Sequence, residues 1–303
     1  MSASLVGFLI GAVSAIGWAT LDALRKSVGE RVAATTAVAA MALFQLPLLV
    51  AALAVGELTG PFPEPWSGFM GGIPEVGVDY LPPMLGSIAL NIFANWLFYR
   101  AVTISPLGLT VPYLSFTPVF TALTAFVVLG QSPTVWGLVG IFIVTVGAFF
   151  LNGGSLSSLR KERGSLYMIA VAGLWSLTPA LDKVAVDRSS VLFHMTMLAT
   201  GIFAAFWVLR AVGDRSTTTM LREMRAAPWL LALTGVLTVF ALVLQLWAYA
   251  FIDVAYVETV KRALGVLAAV LVGWRVFGEG DLRRRLVAAA VIAVGVAAIV
   301  LGG

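Results

Sequence analysis

The sequence predicts an all-α integral membrane protein whose ten transmembrane helices form two inverted five-helix repeats, and three observations predict it. The first is composition: of 303 residues, 60% are hydrophobic and 11% charged, with a mean hydropathy of +0.99, far outside the range of a water-soluble domain. The second is a division into apolar runs long enough to span a bilayer. The third is a match between the two halves of the chain.

The runs are Leu5 to Leu21, Val32 to Leu53, Tyr80 to Val102, Leu107 to Leu129 and Val135 to Leu151. A second set follows at Ser165 to Leu181, Val191 to Val212, Pro228 to Ile252, Tyr256 to Phe277 and Arg285 to Leu301. Connections are short except Gly56 to Asp79, whose Pro and Gly density and carboxylates Glu57, Glu64, Glu75 and Asp79 mark an aqueous loop. The first run ends in TLDALRKS, without a small-residue cleavage pattern, and reads as a retained helix.

Residues 7–31 and 164–188 match at a constant offset, pairing Gly7 with Gly164, Trp18 with Trp175, Lys26 with Lys183 and Arg31 with Arg188. Beyond the longer loop of the first half the offset shrinks, and Gly86 pairs with Gly235, Ala101 with Ala250, Gly130 with Gly278 and Gly147 with Gly295. Shared Ala, Val, Leu and Gly produce chance matches, but Trp, Lys and Arg are rarer. The copies are residues 1–153 and 164–303. Five spans per copy, an odd number, force the copies into opposite orientation, with the site near midplane where they meet. Fifteen of the 19 Lys and Arg fall in the loops after the odd-numbered spans. By the positive-inside rule those loops are cytoplasmic, and both termini and the acidic loop face outward.

Composition also excludes. Cysteine is absent and His194 is the single histidine, so disulfides, Cys-ligated zinc, iron–sulfur clusters and transition-metal sites are not expected, nor any cofactor. The net charge of +4 comes from basic residues in short runs between spans, where they set topology and do not signal nucleic acid. No P-loop could power the protein by ATP. No Ser-His-Asp set, HEXXH or carboxylate pair stands at helical spacing, so the chain is not read as an enzyme.

The informative stretch is Tyr256 to Glu279, an apolar run that carries Glu258, Lys261 and Arg262 where a bilayer tolerates almost no charge. On a helix, Val260, Leu264, Leu267, Leu271 and Trp274 form a bulky face, expected to meet lipid. Glu258, Lys261, Arg262, Gly265, Ala268, Ala269 and Gly273 form a small-residue face, expected to look into the bundle or a wet cavity. The cations lie about 9 to 10 Å into the run, at the limit of snorkelling. Glu258 is three and four residues before them, the order that favours an internal ion pair, yet one carboxylate cannot neutralise two cations. A structural pair and a substrate or proton-coupling role are both open.

Other candidates are weaker. Asn91, Asn95 and Tyr99 form a polar stripe that could bond a ligand or join helices. In TVPYLSFTPVF, Pro112 and Pro118 each remove a backbone donor, and Thr110, Tyr113, Ser115 and Thr117 offer polar groups beside the freed carbonyls. This uncharged stretch is the repeat counterpart of the charged one, which predicts cation from one repeat and hydroxyls from the other. Trp18 and Trp175 read as interfacial anchors or cavity-lining rings. Asp22, Asp182 and Lys183 lie near the ends of runs and read as solvated. His194 reads as a boundary residue with a minor claim to proton coupling.

With these residues in view, the chain resembles the ten-helix EamA-like branch of the drug/metabolite transporter superfamily. The likeness is carried by SPLGLTVPYLSFTPVFTALTAFVVLGQ with VGIFIVTVGAFFLN, and by VAYVETVKRALGVLAAVLVGWRVFGE with AAAVIAVGVAAIVLGG. It implies inverted repeats, a central cavity and alternating access, with a small-molecule solute and the lipid bilayer as partners and a proton or exchanged solute as the coupled species. A monomer suffices, placed multi-pass in the cell (inner) membrane. Lys261 and Arg262 also resemble the Lys-Arg pair with which sugar-phosphate translocators hold phosphate, which implies an anionic or zwitterionic solute. An exporter of cationic drugs or amines and a non-transporting lipid-handling subunit are the alternatives. Two features depart from the family: its members usually have cytoplasmic termini, and Gly130-Gln131 stands where Gly-Glu is usual.

Overall fold

The structure is a computed structural model that describes residues 3–29, 31–60, 73–105, 111–151, 163–212, 217–277 and 282–302. Helices α1 (Ala3–Gly29) and α2 (Ala34–Thr59) are followed by a 3-10 turn at Val78–Tyr80 that runs into α3 (Leu81–Ile104). A 3-10 segment, Val111–Phe116, leads into α4 (Thr117–Leu129), then α5 (Val135–Leu151), α6 (Arg163–Val186), α7 (Val191–Val212) and α8 (Thr217–Ala226). The chain continues with α9 (Pro228–Ala248), α10 (Val254–Phe277) and α11 (Leu282–Gly302). Among the described residues there is no strand.

Among the described residues, seven segments are long and apolar enough to cross a membrane: Ala3–Leu21, Ala34–Thr59, Val78–Phe98, Pro112–Leu129, Arg163–Val186, Val191–Leu209 and Pro228–Ala248. Val135–Phe150 and Ala290–Gly302 are shorter apolar helices. Three local expectations change. The run from Leu107 begins as 3-10 structure where it is described, since prolines at 112 and 118 interrupt the α-helical ladder. The run from Pro228 stops at Ala248. The segment after α7 holds a short amphipathic helix, α8, with Met220 and Met224 buried and the Glu223 carboxylate accepting the Thr36 hydroxyl at 2.5 Å.

The chain forms two compact units, one of Met1–Ala19, Phe93–Ala180 and Ala248–Gly303, the other of Thr20–Ile92 and Leu181–Trp247. Each unit draws on both halves of the sequence.

In the first unit α5 packs along α11, and small residues permit the approach: a Cβ on Gly140 would lie 2.5 Å from the Gly295 carbonyl oxygen. The α4 helix ends on Gly130 at φ +67, which only glycine adopts without strain. Gln131 then turns its Oε1 to the Val254 N–H at 3.1 Å, capping the start of α10. Two Thr-Pro pairs use one device. Pro118 and Pro179 cannot donate to the carbonyls of Leu114 and Trp175, and the hydroxyls of Thr117 and Thr178 donate to them instead, at 2.7 and 3.2 Å. In the second unit α2 packs against α7. Gly235 lets α9 close on Phe44, where an added Cβ would meet the Phe44 Cβ at 2.7 Å.

Candidate functional site

Helix α10 places Glu258 and Lys261 one turn apart, and their side chains meet at 2.5 Å. Glu258 is 3% exposed and its other oxygen accepts the Tyr249 hydroxyl at 2.9 Å. Lys261 is partly exposed and its ammonium lies 5.4 Å from the centre of the Trp18 ring, within cation–π range. Trp18, Tyr249, Glu258 and Lys261 thus form one constellation. Arg262 adds a second cation on the next residue. Asp253, just before α10, is half-buried, and burial raises its carboxyl above the usual range.

The faces of α10 reverse one expectation. Val260, Leu264 and Leu267 do not meet lipid: Val260 is buried and packs with Phe8, Ala122 and Ile299, Leu264 joins them, and Leu267 packs on Val144, Ala148 and Ile292. On the small-residue face Glu258 is buried, and at Gly265 an added Cβ meets nothing within 4 Å. Lipid and protein interior are equally apolar, so the bulk of a face does not tell which of them solvates it. The side chains of Ala268, Ala269, Leu271, Gly273 and Trp274 lie outside the described residues.

The remaining candidates separate. Trp175 packs on Phe98 at 5.6 Å, in the cluster that also contains Tyr113, Phe149 and Met168. Tyr113 is fully buried there, stacked near Phe116. Ser115, beside it, is buried with no hydrogen-bond partner for its hydroxyl, as is Thr121. Asn91 donates to the Ser87 carbonyl at 3.0 Å, and Asn95 is half-buried on the next turn of α3. The Tyr99 and Asp22 side chains lie outside the described residues.

Sequence reasoning missed a second constellation. Asp182 is 5% exposed and His194 0%, so neither is the solvated or boundary residue expected. The Asp182 Oδ1 accepts the Ser87 hydroxyl at 2.5 Å and lies 3.2 Å from His194 Nε2. The other ring nitrogen, Nδ1, is 3.2 Å from the Tyr80 hydroxyl. The cause of the misreading is local: α6 runs on to Val186, not Leu181, which carries Asp182 inside. Lys183 does reach the surface, paired with Asp187 at 2.5 Å. The signal was present, because an ionisable pair inside apolar helices is costly and seldom without use.

Residues 5–153 match the model of the EamA-like transporter family. Over those residues the chain is EamA-like. It is therefore a multi-pass membrane transporter, consistent with the wider drug/metabolite transporter superfamily. A crystal structure of a protein 14% identical in sequence superposes with a TM-score of 0.69, over 98% of this chain and 96% of that chain; at that identity the likeness shows the fold. No curated protein matches the chain. Among the described residues of this EamA-like transporter, no group of three His, Cys, Asp or Glu could hold a metal ion.

Proposed function

We propose that this transporter moves a small anionic or zwitterionic metabolite across the cell (inner) membrane by alternating access, without ATP and as a monomer. Ten spans in two inverted repeats, residues 1–153 and 164–303, carry the movement. One observation supports the solute class above others. Lys261 and Arg262 stand side by side on α10, one turn from Glu258, whose carboxylate is held by Lys261 and Tyr249. Two adjacent cations in a low-dielectric site attract an anion far more strongly than in water. Arg262 grips two oxygens through its planar fork, Lys261 acts as a point charge, and the Trp18 face seats its ammonium. Ser115 offers a hydroxyl from the counterpart stretch and Thr121 another from just after it; Asn91, Asn95, Tyr99, Tyr113 and Trp175 are further candidates to line the path.

A second reading has an observation in its favour. The Lys261 ammonium is met by both the Glu258 carboxylate and the Trp18 face, a combination that also holds organic cations, and an amine taking the place of Lys261 would make the protein an exporter of cationic drugs. Counterflow of labelled solutes in proteoliposomes tests both. Accelerated exchange of anions or zwitterions supports the first reading, exchange of amines alone replaces it with the second, and no exchange of any solute leaves a lipid-handling role.

A further inference from the structure

The Asp182–His194 constellation lies in a different unit from Lys261 and takes no part in the anion reading. Its hydrogen bonds run from Tyr80 through His194 and Asp182 to Ser87. At its outer end the exposed Arg188–Asp79 pair, at 3.0 Å, also bonds the Asp79 carbonyl at 3.2 Å. Tyr80 follows, 1% exposed, with its hydroxyl on His194 Nδ1. His194 Nε2 meets Asp182, Asp182 takes the Ser87 hydroxyl, and Asn91 bonds the Ser87 carbonyl. Of these groups Tyr80, His194, Asp182 and Ser87 can each give or take a proton, whereas the Arg188 guanidinium and the Asn91 amide only hold their neighbours in place.

The geometry suits two protonation states. With a neutral imidazole, one ring nitrogen donates and the other accepts, and the Tyr80 hydroxyl turns to match. With an imidazolium, both nitrogens donate, to the Asp182 carboxylate and to the Tyr80 oxygen, so no group loses its partner. The site can therefore gain and lose one proton without breaking its network, and imidazole is the side chain whose ordinary range lies across physiological pH. Among the described residues, the surroundings contain few competing charges. The α2 helix carries none between Ala34 and Val55, and Glu57 at its end accepts the Ile73 N–H. The α9 helix has no ionisable residue, and α7 has only Arg210 besides His194. On α8, Glu223 is held by Thr36, and Arg222 and Arg225 point to the surface. On α6, Lys183 is paired with Asp187.

We propose that Asp182 and His194, with Ser87 and Tyr80, form a proton-binding site through which this transporter couples its conformational exchange to a proton gradient. The inference rests on the transport reading but not on the solute class. A solute exchanger that ignores protons would leave the anion reading intact.

His194 is the single histidine, so 15N-histidine labelling of the full chain in lipid nanodiscs gives one imidazole to follow. In the wild type the ring 15N signals should report uptake of one proton as the medium is acidified. In D182N, which removes the adjacent carboxylate, about tenfold more acid should be needed. S87A, which keeps the charge, should displace the conversion less and serves if D182N does not fold. Coupling is read on G265C in a chain with no native cysteine. Its labelling rate by a methanethiosulfonate, normalised to the detergent-unfolded chain, should change at least threefold between pH 8 and 5.5, and H194Q should abolish that change. A neutral imidazole throughout, a conversion unmoved by both variants, or a labelling rate indifferent to pH would each overturn the proposal.

Discussion

The Glu258 carboxylate joins Lys261 at 2.5 Å through one oxygen and the Tyr249 hydroxyl at 2.9 Å through the other. The buried acid therefore holds a lysine in place and has little capacity left for a solute. Removing one member of such a pair strands the other, at a cost of about 3 kcal/mol, whereas removing both is far milder. E258Q should lower the unfolding midpoint in detergent, and E258Q/K261Q should recover most of the loss. A double variant as unstable as the single would show that the ion pair is not what the acid contributes.

Charge alone does not describe Arg262. R262K keeps the net charge but loses the planar fork, and with it one charge-assisted hydrogen bond worth about 1.5 kcal/mol. The expected result is a KM for anion uptake roughly tenfold higher, with stability unchanged. A KM that stays the same would remove Arg262 from solute contact.

Two glycines should respond in opposite ways. The Cβ of G140A meets a backbone carbonyl of α11, which cannot swing aside, so that variant should lose about 1 to 3 kcal/mol of stability through overpacking. At Gly265 there is open space, so G265F should fold normally yet block counterflow. An active G265F would place the solute path elsewhere.

Orientation can be read on the aqueous loop. Ile73 is exposed, and the chain lacks cysteine, so I73C gives a single reporter. If the distribution of basic residues sets topology, a membrane-impermeant maleimide labels it in intact cells. Labelling only after permeabilisation would reverse the termini to the side usual for the family.

The α10 charges were legible because each is an anomaly within one apolar run, and the Glu258–Lys261 pair because helical spacing alone brings the two together. Tyr249 was not legible, since it approaches Glu258 across the break between α9 and α10. Nor was the Asp182–His194–Ser87 network, whose members lie on three helices and meet only after packing. The Thr-Pro pairs were half legible: the sequence located the freed carbonyls of the 3-10 segment, and the structure added the same device at Pro179. Where the family usually has Gly-Glu, Gln131 keeps an acceptor at the start of α10, and the bond to Val254 explains why an amide serves there as a cap.

The central claim, an anion held by Lys261 and Arg262, is tested most directly by loading proteoliposomes with a 13C-labelled metabolite extract and identifying by mass spectrometry what leaves. Wild-type protein should deplete anionic or zwitterionic solutes, and K261Q/R262Q, checked as folded by its melting curve, should not. Depletion of organic cations alone, or the same losses from the double variant, would contradict the account.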